Sequence, residues 1–203
     1  MACPVCAYAK IGKMLKQNQN RGGSINDLLK RAESFARIRH MGQFRKGKAQ
    51  EPYIIHLEEV SELVTSWDGT ENAKAAAWLH DTVEDCPPTS FAEIENEFNV
   101  DIANIVKELT DDKSLPKAER KRLQIINAIK KSEEGCLIKI ADKCSNIAAI
   151  AHSPPMHWNA ARKRDYVAWA RSVIDGLPHK PKMAVQAFES RCKATLSQIA
   201  RET

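Results

Sequence analysis

No run of the 203-residue chain approaches the roughly 20 consecutive apolar residues that a membrane span requires, so no membrane partner is expected. Internal repeats and low-complexity segments are also missing, which excludes repeat architectures. The six cysteines, at positions 3, 6, 86, 136, 144 and 192, are too scattered to form a disulfide framework and read as reduced thiols. Cys3 and Cys6 have the spacing of half a zinc site, but no second C-x-x-C or H-x-x-x-H pair completes it. Residues 1–16 lack the basic-then-apolar order of a secretory signal and are poor in the Arg and Ser of an organelle transit segment. A cytoplasmic location is therefore expected.

Acidic side chains are absent from residues 1–24, which carry Lys10, Lys13, Lys16 and Arg21. Of the 31 Lys and Arg residues, 27 then remain to face 26 Asp and Glu, so the body is nearly neutral and the net charge of +5 belongs largely to this arm. Nucleic-acid binding by the body is argued against, because that wants a basic face there too. What is present is ordinary for a globular protein: 43% hydrophobic and 28% charged residues, enough to bury one core. The organisation expected is a flexible basic arm over 1–24 and one folded domain over 25–203.

Helical periodicity dominates that domain. Ile25, Leu28, Leu29, Ala32, Phe35, Ala36 and Ile38 recur three or four apart on one stripe, behind a Ser24-x-x-Asp27 cap. Further helices are predicted at about 56–66, 71–85, 90–98, 100–110, 116–131, 134–151, 158–176 and 181–201. Ser90 with Glu93 forms a capping box, Pro116 suits a first turn, and Gly176-Leu-Pro178 stops a helix. Only Pro52–Ile55 reads as extended. The fold class is all-α, a compact multi-helix bundle.

Ionisable residues stand out against this apolar background in three places. Ala73, Ala76, Ala77, Trp78 and Leu79 run straight into His80, Asp81, Glu84 and Asp85, which a continuous helix would gather on adjoining faces. Burying them unpaired would cost several kcal/mol, and a divalent ion would resolve that cost; a helix end with solvated acids is the plainer alternative. Asp142 and Asn146 share one side of a second apolar helix, although Lys139 or Lys143 could simply pair with Asp142. His56 opens a helix after the extended stretch, and a lone histidine is more often packing than ligand.

Taken together, Arg45-Lys46, Glu51 to His56, Ala76 to Asp85, Leu109 to Lys117, Glu119 to Gln124 and Leu137 to Asn146 form ordered blocks over roughly residues 27–177. In them the chain resembles the HD-domain metal-dependent phosphohydrolases, and within these the RelA/SpoT-type small alarmone hydrolases, the metazoan SpoT homologue included. The resemblance implies one divalent metal ion, usually Mn²⁺, with other divalent ions conceivable, held by His56, His80, Asp81 and Asp142. It implies that Glu84 and Asp85 orient or deprotonate the attacking water. Arg45 and Lys46 would meet base and phosphates, Lys113, Lys117, Arg120, Lys121 and Arg122 the 5′-phosphates, and Asn146, Arg162 and Tyr166 the rest of the nucleotide. For Tyr166 core packing beside Trp158 and Trp169 is the alternative, and for Lys121 and Arg122 a solvated helix face. The reaction implied is removal of the 3′-pyrophosphate from ppGpp or pppGpp, giving GDP or GTP.

The chain also departs from that family. Leu57 follows His56 where the family usually has Pro, and Ala148 and Ala149 stand where an Arg and a Thr are common. His40, in His-x-x-Gln43, reads as packing or as a support behind the ligands. A related substrate (ppApp, or the 2′-phosphate of NADPH) and a non-catalytic nucleotide sensor remain as alternatives, and a homo-oligomer stays open.

Overall fold

The computed structural model describes residues 25–202; the basic arm, its two cysteines and the Ser24 cap lie outside the described residues. From there the chain is helical throughout: α1 (Ile25–Arg39), α2 (Ile54–Ser66), α3 (Glu71–Leu79), α4 (Thr82–Asp85), α5 (Phe91–Glu97) and α6 (Val100–Leu109). After these come α7 (Lys117–Ile126), a 3₁₀ turn (Ala128–Lys130), α8 (Glu133–His152), α9 (Ala160–Asp175) and α10 (Lys182–Arg201). Among the described residues there is no strand, only the isolated bridges Phe44 to Pro52 and Gly47 to Pro155. None of the described helices is long and apolar enough to cross a membrane.

Helix α8 is the axis of the bundle. Its apolar residues go all the way round, with Cys136, Leu137, Ile138, Ile140, Ala141, Cys144 and Ile147 all buried, and such a helix must be enclosed. α2, α3, α6, α9 and α10 pack around it, and α1 closes over α3. α3 presents Ala73, Ala75, Ala76 and Ala77, all fully buried, so its neighbours can approach closely. Enclosure has a consequence for α8's polar residues: Lys139, Asp142, Lys143 and Ser145 are buried and must find partners inside the protein.

Local punctuation follows the side chains. Ser90 Oγ accepts from Glu93 N at 3.2 Å, and Ser132 Oγ accepts from Gly135 N at 3.0 Å. Three boundaries differ from the sequence expectation, the first being the helix predicted over 116–131, which ends at Ile126 ahead of the 3₁₀ turn. Of the stretch read as extended, Pro52 pairs with Phe44 in an isolated bridge, whereas Ile54 and Ile55 open α2 and so place His56 in its first turn. The helix predicted over 71–85 breaks at His80 and Asp81, where Thr82 Oγ1 donates to Leu79 O at 2.6 Å and the Asp81 backbone (φ −102°, ψ −4°) leaves ideal helical geometry.

The segment between α1 and α2 is tied to the end of α8. Ala49 N donates to Ser153 Oγ at 2.8 Å and Lys48 N to Pro154 O at 3.3 Å. At Gly47 the backbones come so close that a Cβ would lie 2.1 Å from Ser153 O. Cys86, Cys136, Cys144 and Cys192 are buried free thiols, as the scattered spacing predicts.

Candidate functional site

Folding brings His56 from α2, His80 and Asp81 from the break after α3, and Asp142 from the middle of α8 to one buried point. His56, His80 and Asp142 each offer a ligand atom within 4.8 Å of the other two. Asp81 Oδ2 lies 3.2 Å from His80 Nε2 and 3.6 Å from His56 Nε2, and Asp142 Oδ1 lies 3.6 Å from His56 Nε2.

The hydrogen bonds around these groups fix their orientation. His80 Nδ1 donates to Ala77 O at 2.8 Å; a carbonyl only accepts, so Nδ1 carries a proton and the Nε2 edge faces the cluster. That Nε2 is buried without a hydrogen-bond partner. Tyr53 OH donates to Asp81 Oδ2 at 2.5 Å, and the Tyr53 ring is stacked on buried His40 with centroids 5.0 Å apart. Asp142 divides its two oxygens: Oδ2 accepts from Lys143 at 3.0 Å with Lys139 at 3.8 Å, while Oδ1 accepts from Asn146 Nδ2 at 2.5 Å and faces His56. The plainer pairing with lysine and the placement beside histidine therefore occur together, one on each oxygen.

Electrostatically the point favours positive charge. Burial opposes ionisation of Asp142, yet Lys143 and Lys139 hold its carboxyl well below the ordinary range. Burial likewise opposes the ionised form of Asp81, but His80 and His56 outweigh it. Burial works against a charged His80, and Asp81 overcomes it, raising the imidazole to about 9. His56 goes the other way, lowered by burial. Two imidazole nitrogens and two carboxylates converging without thiolate suit a hard to borderline divalent cation, and the unpartnered Nε2 of His80 is the atom such an ion would satisfy.

A cavity of about 1040 Å³ adjoins this cluster. Arg45, Lys46, Lys117, Arg120, Lys121 and Arg162 line it with positive charge, and Trp158, Tyr166 and Trp169 give it an aromatic wall. Burial and the neighbouring Lys46, Arg162 and Arg120 lower the Lys117 pKa, a sign of cations crowded together. Tyr166 packs between Trp158 and Trp169, at 5.6 and 5.2 Å between centroids, and lines the cavity as well. Arg45 is anchored through Nη1 to Ser145 Oγ and through Nη2 to Asn146 Oδ1, both at 3.1 Å.

The acids after His80 do not stay together. Glu84 Oε2 accepts from Asp111 N at 3.0 Å and Oε1 lies 3.7 Å from Arg120, while burial raises its pKa. Asp85 lines the cavity and accepts a hydrogen bond from Lys113, which is itself outside the cavity wall. Lys121 sits over Trp169, its Nζ 4.4 Å from the ring centre, whereas Arg122 pairs with Glu119 on the surface. The sequence reading missed Tyr53 and Ser145 as supports; Tyr53 had a signal, lying one turn before His56, and Ser145 had none.

A model of the HD domain matches residues 32–170. The chain belongs to the HD-domain family. Among the relatives of this HD-domain chain, the Xenopus tropicalis guanosine-3′,5′-bis(diphosphate) 3′-pyrophosphohydrolase MESH1 is 42% identical over 152 residues, 74% of this chain and 84% of that protein. The Homo sapiens MESH1 is 40% identical over 169 residues, covering 82% and 94%. A solved structure of a metazoan orthologue of SpoT, described as hydrolysing ppGpp with a role in starvation responses, superposes on the HD-domain chain with a TM-score of 0.72. It is 36% identical and covers 86% of this chain and 94% of its own.

Proposed function

We propose that the chain removes the 3′-pyrophosphate of ppGpp and pppGpp, giving GDP or GTP and pyrophosphate, with one divalent ion, Mn²⁺, held by His56, His80, Asp81 and Asp142. The observation that carries this reading is a shared wall. Tyr53 and Asn146 line the cavity and at the same time hydrogen-bond to Asp81 and Asp142, so a nucleotide filling the cavity comes within one side chain of the His–Asp cluster. The volume sits at the upper end of small-molecule sites, which suits a nucleotide carrying two diphosphates.

The chain's own groups then divide the work. Lys46, Lys117, Arg120 and Arg162 neutralise phosphate oxygens, and the aromatic wall with the Arg45 guanidinium supplies flat surfaces for the purine. A divalent ion supplies Lewis acidity, polarising a phosphoryl oxygen and easing loss of a proton from water. Glu84, with Oε2 held by Asp111 N and Oε1 3.7 Å from Arg120, accepts that proton at Oε1, and its raised pKa brings it nearer neutrality, where a general base is most effective. The water oxygen bonds to the phosphorus attached to O3′ as its proton passes to Glu84, the O3′–P bond breaks to release pyrophosphate, and O3′ takes a proton from Glu84 or solvent to become the 3′-hydroxyl of GDP or GTP. Asp85 orients the water from the cavity wall.

Purified protein loaded with Mn²⁺ and offered ppGpp, ppApp and NADPH in parallel tests the proposal. We expect pyrophosphate and GDP from ppGpp with the highest kcat/KM of the three, lost in EDTA and regained with Mn²⁺. No turnover of ppGpp by metal-loaded protein would refute it, and preferred release of phosphate from NADPH would reassign the substrate.

A further inference from the structure

Helix α7 buries none of its residues, yet Lys117, Arg120, Lys121 and Gln124, three or four apart on one face, all line the cavity. A helix without a buried stripe is placed by its polar ties. On one side Trp169 Nε1, from α9, donates to Lys121 O at 3.0 Å. On the other, Gln124 Nε2 donates to Asp111 Oδ2 at 2.6 Å. Asp111 belongs to the connection between α6 and α7, and its backbone N donates to Glu84 Oε2 at 3.0 Å. A carboxylate only accepts, so the Gln124 amide turns its nitrogen to Asp111, and its Oε1 stays buried without a hydrogen-bond partner among the described residues. Arg120, one turn before Gln124, lies 3.7 Å from the other Glu84 oxygen. One oxygen of Glu84 is thus held through Gln124 and Asp111, and the other faces the same helix.

We infer that Gln124 is a positioning residue: acting through Asp111, it fixes the direction in which Glu84 presents its carboxylate. Glu84 rises from α4, a single turn of four residues, and is half-buried, so its own helix leaves several rotamers open and outside groups must choose among them. Asp111 N makes that choice, and the Gln124 amide holds the Asp111 segment in place. The face of α7 that supplies Lys117 and Arg120 to the phosphates therefore also aims the base, and one element sets both the grip on the nucleotide and the line of proton transfer. The inference rests on the proposed function above, in which Glu84 takes the proton of the attacking water. Misplacing a reacting group by about 1 Å costs on the order of 100-fold in rate.

The test is steady-state hydrolysis of ppGpp by Mn²⁺-loaded protein, with kcat and KM separated and Mn²⁺ affinity measured by titration. Gln124→Met keeps the shape of the side chain and removes its donor; kcat should fall about 10–100-fold, with a smaller change in KM and Mn²⁺ affinity retained, because Trp169 still ties α7 to α9. Asp111→Ala should lose kcat to a similar extent, and Asp111→Asn, which keeps an oxygen for the Gln124 amide, should recover most of that loss. Since Gln124 acts through Glu84, adding Gln124→Met to Glu84→Gln should cost little beyond Glu84→Gln alone. Thermal unfolding confirms that each variant is folded, and the Asp111 pair decides the matter should Gln124→Met fail to fold. Wild-type kcat in either folded variant, Gln124→Met or Asp111→Ala, would overturn the inference while leaving the hydrolysis standing. So would a Gln124→Met loss that persists undiminished in Glu84→Gln. Wild-type protein that turns over no ppGpp would overturn the proposed function, and the inference with it.

Discussion

Replacing Asp142 by Asn separates two duties carried by one carboxylate. Its Oδ2 balances Lys143 and Lys139, which are 3% and 4% exposed, and its Oδ1 belongs to the cluster with His56. Asn keeps the shape but removes the charge, leaving two buried ammonium groups without their counter-ion. Removing one partner of a buried pair costs about 3–5 kcal/mol. The lower end applies here, since an amide oxygen still accepts from Lys143. At about 2–4 °C per kcal/mol for a chain of this length, about 3 kcal/mol lowers Tm by about 6–12 °C. The assay is thermal unfolding by circular dichroism in EDTA, repeated with Mn²⁺. Wild type at 100 times its Kd should gain about 2.7 kcal/mol from the ion, and Asp142→Asn almost none. Its carboxyl, held below the ordinary 3.8, gives stability that is complete above that value and lost as pH falls through the folded one, so the variant should also show a shallower acid dependence. Adding Lys143→Met to the variant should restore part of the loss. An Asp142→Asn protein melting within about 2 °C of wild type would refute this account of the buried charges.

Glu84→Gln should lower kcat by about 100-fold or more while Mn²⁺ affinity, measured by titration, is retained. Because burial raises the Glu84 pKa and the ionised form is the base, wild-type activity should fall as pH drops through that raised value; the acid limb should be missing from the residual activity of the variant. For Arg45→Lys, which exchanges a fork held by Ser145 and Asn146 for a single ammonium, steady-state kinetics should show KM up about tenfold with a smaller change in kcat. His80→Ala should abolish both Mn²⁺ binding and turnover, and elemental analysis of the purified variant would check the first of these.

Much of the architecture was legible because the helices carry the 3.6-residue stripe and ordinary caps, as in Ser90 to Glu93, and burial of that stripe decides the fold. What could not be read depends on single hydrogen bonds or on distant partners. Ala73 to Asp85 has the composition of one continuous helix, and nothing local announces that the Thr82 hydroxyl takes the Leu79 carbonyl and turns His80 and Asp81 inward. Tyr53-Ile-Ile resembles a strand by its β-branched residues, but packing against α8 places it in a helical turn. Convergence of His56, His80, Asp81 and Asp142 came from matching ordered blocks rather than from periodicity. Which lysine enters the cavity follows from helix phase and loop path: Lys121 lies over Trp169, and Lys113, in a loop, turns to Asp85. Ser145 was invisible because the side chains it bonds to, His56 and Arg45, lie 89 and 100 positions away.

Gly47 gives the enzyme a seam without a gasket. On one side runs the strip bearing Arg45 and Lys46, on the other the tail of α8, and the backbone at 47 already rests against the Ser153 carbonyl. Even a methyl group there would act as a wedge, prising the guanidinium away from the helix that carries Asp142 while leaving each part internally whole. Grip on the nucleotide would fade before the grip on the cation, so adaptation of this catalyst toward weaker or altered substrates has a lever at a position bearing no side chain at all.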